Sequence, residues 1–413
     1  MGCKNKIVTS EYVSYGHPDK LADQIADQIL YDISLVDKNV RAGIEVMVKD
    51  NIVVLGGEIS TTANVNYDTC VRKVFADIGY PQNHHLTQSD IKVINLIGKQ
   101  SPEISAMVDK ENGTIGAGDQ GFCVGYASNE TPDYMPLGHY LAQEICLRVC
   151  QMTNGKFGHN RCEFGPDVKT QVIVSYDENE NATVDYILVS SMHPEGHIED
   201  LRDTVRRSIW GNIGMFDNNT FEMYIKGKDI KIDVNPYGEW TIGGPISDCG
   251  VTGRKVVVDQ FGGYCNVGGG AFSGKDLTKV DRSGAYMARY IAKNIVATGI
   301  CDNAKVELSY VIGEPEPCAL NIELNRNCVI VPFIKDYIIK NINLSPSGII
   351  NRFTENGRRN IVYPLFSRFG NYGDLHMRPW ERLDFYDDLS GKINEYLLKE
   401  WGEVTPKKQE DNE

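Results

Sequence analysis

Between residues 18 and 36 an apolar side chain returns every four positions. Leu21, Ile25, Ile29 and Ile33 therefore share one helical face, and Pro18 suits the first turn of that helix. Val40, Ala42, Ile44, Val46 and Val48 then alternate with polar or small residues, which is the period of a half-buried strand. A second strand follows over 52–55, and Asp50-Asn51 between the two signals a hairpin turn. Val71, Val74, Phe75 and Ile78 mark an amphipathic helix. The order strand, strand, helix returns twice. Strands over 172–176 and 184–189 precede a helix near 199–209, and strands over 305–312 and 319–324 precede a helix near 333–341. This is an internal structural repeat with little residue-level similarity. Strands and helices that do not alternate strictly predict an α+β fold, with mixed sheets packed against helices.

Composition adds bounds. The chain has 413 residues, enough for two or three domains with sizeable cores. No run approaches the roughly 18 apolar residues needed to span a bilayer. Lys and Arg number 42 against 56 Asp and Glu, a net charge of −14. Such a field repels phosphate backbones, so no nucleic-acid partner is expected, and no membrane. The 11 cysteines contain no C-x-x-C pair, which argues against zinc and thioredoxin-like sites. Cys146 and Cys150, four apart on a helical stretch, read as small core residues. The N-terminus has no apolar h-region. Free thiols without a secretory signal predict a cytoplasmic protein. The polar tail 406–413 is expected to be disordered.

Glycine is the outlier. Residues 243–274 hold 10 of the 40 glycines, where about three would fall by chance. Glycine admits positive φ and close backbone approach, and exposed N–H groups then form anion-binding nests. The run Gly269-Gly270-Ala271-Phe272-Ser273-Gly274-Lys275-Asp276 approaches the P-loop pattern, but Asp276 stands where a metal-binding hydroxyl belongs. A different phosphate loop is the better expectation. Arg254, Lys255, Lys275, Lys279 and Arg282 against Asp259, Asp276 and Asp281 make this region a basic island in an acidic protein. Two further glycine-acid clusters are Gly116-Ala117-Gly118-Asp119-Gln120-Gly121 and Gly243-Gly244-Pro245 leading to Asp248.

These runs occur together, in order, with Gly16-His17-Pro18-Asp19-Lys20, Asp248-Cys249-Gly250-Val251-Thr252-Gly253-Arg254-Lys255 and Lys279-Val280-Asp281-Arg282-Ser283. Together they resemble the S-adenosylmethionine synthetases (methionine adenosyltransferases) over nearly the whole chain. The resemblance implies three similar subdomains in a pseudo-threefold arrangement: N-terminal 5–102, central 116–238 and C-terminal 240–381. Residues 103–115 would be linker and the remainder of a mobile loop that starts near Gln100. It implies synthesis of S-adenosylmethionine from ATP and L-methionine, then hydrolysis of the tripolyphosphate to phosphate and pyrophosphate. It also implies a pair of Mg²⁺ ions, a K⁺ ion, and a homodimer with shared active sites, commonly a dimer of dimers.

Residue by residue, the resemblance places His17 near the breaking C5′–O5′ bond. Lys169, Arg254, Lys255 and Lys275 would clamp the polyphosphate. Asp119, Asp167, Trp240, Asp248 and Ala271 join them as ATP contacts, Trp240 by stacking on adenine. Glu58, Gln100, Asp248 and Lys279 would hold the methionine zwitterion. Asp19 and Asp281 resemble the Mg²⁺ ligands and Glu45 the K⁺ ligand. Asp23 and Asp27 share a helix face with Asp19, but read as a solvated face or as partners for lysines.

The chemistry suits these types. A thioether sulfur is already nucleophilic and needs no base. The departing polyphosphate needs fixed positive charge. Several positions depart from the family pattern: Tyr15 for Glu, Gly165 for Arg, Glu239-Trp240 for Arg-Phe, Val267 for His, and much of 371–380. They leave two alternatives open, a nucleotide-binding paralogue without turnover and an ATP phosphotransferase using the near P-loop.

Overall fold

The computed structural model describes residues 6–80, 86–99, 115–153, 164–210, 218–373 and 378–401. Helix α1 (Pro18–Val36) begins at its proline. His17 caps it, its Nδ1 accepting the Asp19 N–H at 3.1 Å. The hairpin β2 (Arg41–Lys49) and β3 (Ile52–Ser60) turns at Asp50, which takes φ +53°. Helix α2 (Tyr67–Ile78) follows, then the short β4 (Lys92–Asn95).

The same unit recurs twice. Strand β5 (Gly121–Ser128) and helix α3 (Leu137–Thr153) lead into the hairpin β6 (Val168–Tyr176) and β7 (Ala182–Ser191). Helices α4 (Ile198–Trp210) and α5 (Asn218–Tyr224) and strand β8 (Lys231–Val234) complete it. The last unit opens with the two-residue β9 (Gly250–Val251) and α6 (Val280–Ala297). Its hairpin is β10 (Asn303–Tyr310) and β11 (Ala319–Leu324), followed by α7 (Val331–Asn341). Helices α8 (Pro346–Phe353), α9 (Tyr363–Phe369) and α10 (Tyr386–Trp401) close the described chain. The expected hairpins and helices are all present. Their strands extend a few residues beyond the strongest alternation, because the added positions are half-exposed.

The three sheets run β4-β3-β2-β9, β1-β6-β7-β8 and β5-β10-β11, where β1 is Lys6–Val13. In each, the first strand of the hairpin pairs antiparallel with a strand from another third of the chain: β2 with β9, β6 with β1, β10 with β5. Each third thus lends a strand to the next in a closed cycle, an α+β fold of three similar units in pseudo-threefold arrangement. Helix α6 lies close on β5, because a Cβ on Gly125 would overlap the Ala288–Arg289 backbone at 2.0 Å.

Helix α1 is buried on all sides over its first three turns, where the sequence pattern gave it one apolar face. Of the two readings of Asp23 and Asp27, the solvated face is therefore corrected, while a lysine partner holds for Asp23 and an arginine takes that place at Asp27. Asp23 pairs with Lys20 at 3.1 Å and accepts the Gly253 N–H at 3.0 Å. Asp27 takes a bidentate Arg282 guanidinium at 2.7 and 2.9 Å and accepts the Gly274 N–H at 2.9 Å. These carboxylates are buried because each has a cation and an amide to receive it. Lys20 also reaches Asp259 at 2.6 Å.

The glycine-rich run does not form a P-loop. Ile44 donates to the Gly274 carbonyl at 3.1 Å, Lys275 bridges Gly43, and Ala42 donates to Asp276 Oδ2 at 2.8 Å. The segment lies extended along β2, and α6 starts only at Val280. Nothing here offers a helix N-terminus directly behind Lys275, which removes the structural basis for a P-loop phosphotransferase.

Asp27→Ala strands the Arg282 charge in the core. We expect a loss of about 3–5 kcal/mol in denaturant-induced unfolding, and a loss below about 1 kcal/mol contradicts this reading of the pair.

Candidate active site

The end of β1 and the start of β6 meet just before α1. Ser14 donates through its hydroxyl to the Pro166 carbonyl at 2.6 Å, and Val13 pairs with Lys169. Gly16 passes so close that a Cβ would sit 2.4 Å from the Pro166 oxygen. This turn brings His17, Asp167 and Lys169 together, although 150 residues separate them in sequence.

Strand β9 and the loop after it supply the rest. Asp19 Oδ1 accepts the Val251 N–H at 3.0 Å. Its Oδ2 takes the Lys255 ammonium at 2.5 Å, and Arg254 stands 3.8 Å away. His17 is buried, and burial first, then the Lys255 and Lys169 ammoniums, push its imidazole down to about 2. Asp248 opposes this without reversing it. The ring is neutral at any working pH. With Nδ1 accepting from Asp19, its proton is assigned to Nε2, which is the donor left for a ligand.

Asp167 shows the opposite shift. Burial pushes its carboxyl up to about 7, against the Gly244 N–H bond at 2.8 Å and the nearby Lys169 and Lys255. Its Oδ1 is buried without a hydrogen-bond partner among the described residues. Asp248 is exposed and accepts its own neighbour's amide, Cys249 N–H, at 2.8 Å.

A second patch forms at the start of α6. Lys275 pairs with Asp281 at 2.6 Å. Asp281 packs where Gly270 and Gly121 leave room for it, since a Cβ on Gly270 would lie 2.2 Å from its Cγ. The Lys279 stem fills the place a Gly118 side chain would take, and Asp119 is exposed nearby in the same segment. Ala271 touches the first patch, its Cβ 2.7 Å from where a Gly253 Cβ would be. Glu45 lies on the open face of β2 and accepts the Thr252 hydroxyl. Glu58, half-buried on β3, stands opposite Gly43, which Lys275 bridges. The structure thus assembles His17, Asp19, Asp167, Lys169, Asp248, Arg254 and Lys255 in one place. Lys275, Lys279 and Asp281 gather in another, with Glu45 and Glu58 on the adjoining sheet. Gln100 lies outside the described residues.

Trp240 is half-buried, its Nε1 tied to the Ile242 carbonyl at 2.8 Å. Glu239 accepts the Gly196 N–H at 2.9 Å, a bond that an arginine there does not make. At Gly165 any Cβ would overlap the Met192 sulfur at 2.1 Å, so the missing side chain is compensated by Met192. Tyr15 is buried under the Arg368 guanidinium. In the 371–380 segment Trp380 stacks on Tyr286 at 3.6 Å, and its indole donates to the Asn371 carbonyl at 2.7 Å. Nothing in the structure accounts for Val267. Sequence reasoning missed Thr252, Lys20 and Arg282 as supports of the site. The four-residue spacing of the α1 carboxylates, with lysine partners suggested for two of them, and the basic island that includes Arg282 were the signals of such a network.

Among the described residues no group of three or more His, Cys, Asp or Glu side chains converges as a metal cage. Asp19 and Asp281 each present one carboxylate beside a cation. That donor set fits a hard divalent ion that draws its other ligands from phosphates and water. Glu45, a lone carboxylate braced by Thr252, fits a weakly held monovalent cation.

Family models for the S-adenosylmethionine synthetase N-terminal, central and C-terminal domains match residues 5–102, 114–240 and 242–382. The chain belongs to the S-adenosylmethionine synthetase family. It is similar to the S-adenosylmethionine synthase of Mycoplasma mycoides, 39% identical over 92% of this chain and 96% of that protein. The Synechocystis synthase is likewise 39% identical, over 94% and 95%. A solved S-adenosylmethionine synthetase from Campylobacter jejuni, described as unusual, superposes with a TM-score of 0.80 at 35% identity, covering 93% of this chain and 99% of its own. The chain is accordingly a methionine adenosyltransferase that forms S-adenosylmethionine from ATP and methionine.

Asp167 yields a pH signature. Its folded-state carboxyl titrates near 7 against an ordinary 3.8, so the folded state holds a proton that the unfolded chain has lost. Its contribution to stability is present below 3.8 and fades as pH rises towards 7. Relative to wild type, Asp167→Asn should therefore gain stability between pH 4 and 7 by up to about 1.4 kcal/mol per pH unit. A pH-independent difference in urea unfolding rules this out.

Proposed function

We propose that the His17 patch binds the nucleotide and that its cations carry the alkyl-transfer step. The observation that carries this reading is the convergence of Lys169, Arg254 and Lys255 on a neutral, buried His17 at a helix N-terminus. The methionine sulfur attacks C5′ of ATP, the C5′–O5′ bond breaks, and the electron pair leaves on the tripolyphosphate. No base is needed. His17 Nε2–H donates to the departing oxygen. Lys169, Arg254, Lys255 and Lys275 balance the charge of the leaving chain. One such pair at about 4 Å is worth roughly 4 kcal/mol at an effective dielectric near 20. Asp19 and Asp281 would hold Mg²⁺, which when bound offsets polyphosphate charge, and Glu45 would hold K⁺. Tripolyphosphate then hydrolyses to phosphate and pyrophosphate in the same cradle.

Asp119, Asp167, Trp240, Asp248 and Ala271 complete the ATP contacts. Glu58, Asp248 and Gln100 address the methionine ammonium and polar groups, and Lys279 its carboxylate. We infer a homodimer with shared sites, arranged as a dimer of dimers. Two separate patches and the half-apolar open face of the β4-β3-β2-β9 sheet support it. Met47, Ile52 and Ile94 are exposed there beside Glu45 and Glu58. The nine described cysteines are free thiols and no described helix is long and apolar enough to cross a membrane, which suits a cytoplasmic enzyme.

Incubation with ATP, methionine, Mg²⁺ and K⁺ should give a sulfonium product with phosphate and pyrophosphate. Tight ATP binding without product would favour the inactive-paralogue reading instead. Lys275→Ala should lower the alkyl-transfer rate about 10²–10³-fold while the circular dichroism spectrum stays unchanged. Near-normal turnover sinks its place in the clamp.

A further inference from the structure

Strand β7 ends at Ser191 and β8 at Val234, yet the two segments stay registered beyond their ladder. Side chains take over from the backbone. Ser191 donates to Asn235 Oδ1 and accepts from Asn235 Nδ2, both at 2.9 Å. Two residues on, His193 donates its backbone N–H to the Trp240 carbonyl at 3.0 Å. The Trp240 N–H returns to His193 Nε2 at 3.2 Å. His193 Nδ1 lies 2.9 Å from the Pro194 carbonyl, which assigns the ring proton to Nδ1 and leaves Nε2 as the acceptor. The imidazole is buried, 1% exposed, while the Trp240 ring remains half-open.

Between these anchors lies an exposed turn. Tyr237 is fully exposed and Gly238 takes φ +113°. Besides the clasp on His193, Trp240 is held by its indole Nε1–H, which donates to the carbonyl of the exposed Ile242 at 2.8 Å. The clasp also adjoins the nucleotide site. Met192 donates to the Asp167 carbonyl at 3.0 Å, and its sulfur packs against Gly165 and Gly243.

We propose that His193 is a positioning residue for nucleotide binding, its Nε2 fixing the Trp240 peptide so that the indole face is held ready for the purine base. This rests on the reading of Trp240 as the residue that stacks on adenine. A two-point clasp confines the backbone at Trp240, so ordering is not required when the base arrives. Methionine, held by other elements, should not sense it.

The test uses His193→Asn and His193→Gln in the full chain. Asparagine keeps a donor for Pro194 but places no acceptor at the Nε2 position, whereas glutamine restores that acceptor. His193→Asn should raise the KM for ATP about five- to tenfold, the loss of one hydrogen bond. kcat and the KM for methionine should stay within twofold. His193→Gln should return the ATP KM to within twofold of wild type. Quenching of Trp240 emission by AMPPNP with methionine left out, so that no alkyl transfer takes place, and isolated by subtracting Trp240→Phe, should need proportionally more analogue in His193→Asn. The effect should also be absent when His193→Asn is added to Trp240→Ala.

An ATP KM unchanged in His193→Asn, or raised equally in His193→Gln, overturns the proposal. So does full additivity with Trp240→Ala. An ATP KM unchanged in Trp240→Ala alone refutes the stacking reading itself, and the proposal with it. A structural role alone predicts a fall in thermal stability with kcat and both KM values moving together.

Discussion

Asp19, Asp23 and Asp27 lie one turn apart on α1, and each accepts a backbone N–H from the glycine-rich segment, at Val251, Gly253 and Gly274. Each also receives a cation: Lys255, Lys20 and Arg282 in turn. A buried carboxylate without such partners is costly, and a buried amide left unpaired costs about 1–3 kcal/mol. The helix and the loop therefore specify each other. Glycine is needed where the loop presses closest: a Cβ on Gly250 would lie 2.0 Å from the Pro18 oxygen, and one on Gly274 2.2 Å from the Ile44 oxygen.

The local electrostatics follow from that scaffold. The chain carries a net charge of −14, yet at His17 burial, and after it the Lys255 and Lys169 ammoniums, keep the imidazole neutral. The same neighbourhood fails to hold Asp167 at an ordinary carboxylate value, because complete burial outweighs Lys169 and Lys255. A neutral donor and a poised carboxyl beside three cations are what the proposed polyphosphate site needs to act with little rearrangement. Arg282 extends the scaffold to the second patch. It donates both to Asp27 and to the Lys275 carbonyl, at 2.7 and 3.2 Å, so the backbone that carries Lys275 is tied to α1.

Much of the fold was legible in the chain. The period-two hairpins and the period-four face of α1 reappear at nearly the expected positions, because burial of one face is what those periods encode. The strand exchange was not legible. β9 is two residues long, and β1 pairs with a strand more than 150 residues away, so no local period reports either. At the site, His17, Asp167 and Lys169 come together with the loop of Arg254 and Lys255 from separate thirds of the chain, and no local period reports that meeting. The α1 carboxylates were only half legible: a lysine partner was among the readings of Asp23 and Asp27, but four-residue acidic spacing on an isolated helix reads equally as solvated, and their burial left no local mark. The clasp between His193 and Trp240 joins residues 47 apart through a ring nitrogen. Such a contact leaves no mark on periodicity or composition.

The proposed phosphate clamp depends on the α1 carboxylates holding the loop of Arg254 and Lys255 in its working geometry before the substrate arrives. Asp23 tests it best, since it touches the loop carrying Arg254 and Lys255 but has no assigned contact with substrate. In a single-turnover measurement on folded Asp23→Ala, with enzyme in excess over ATP and methionine saturating, we expect alkyl transfer slowed at least about tenfold, with the KM for methionine within twofold of wild type. A single-turnover rate equal to that of the wild type contradicts it.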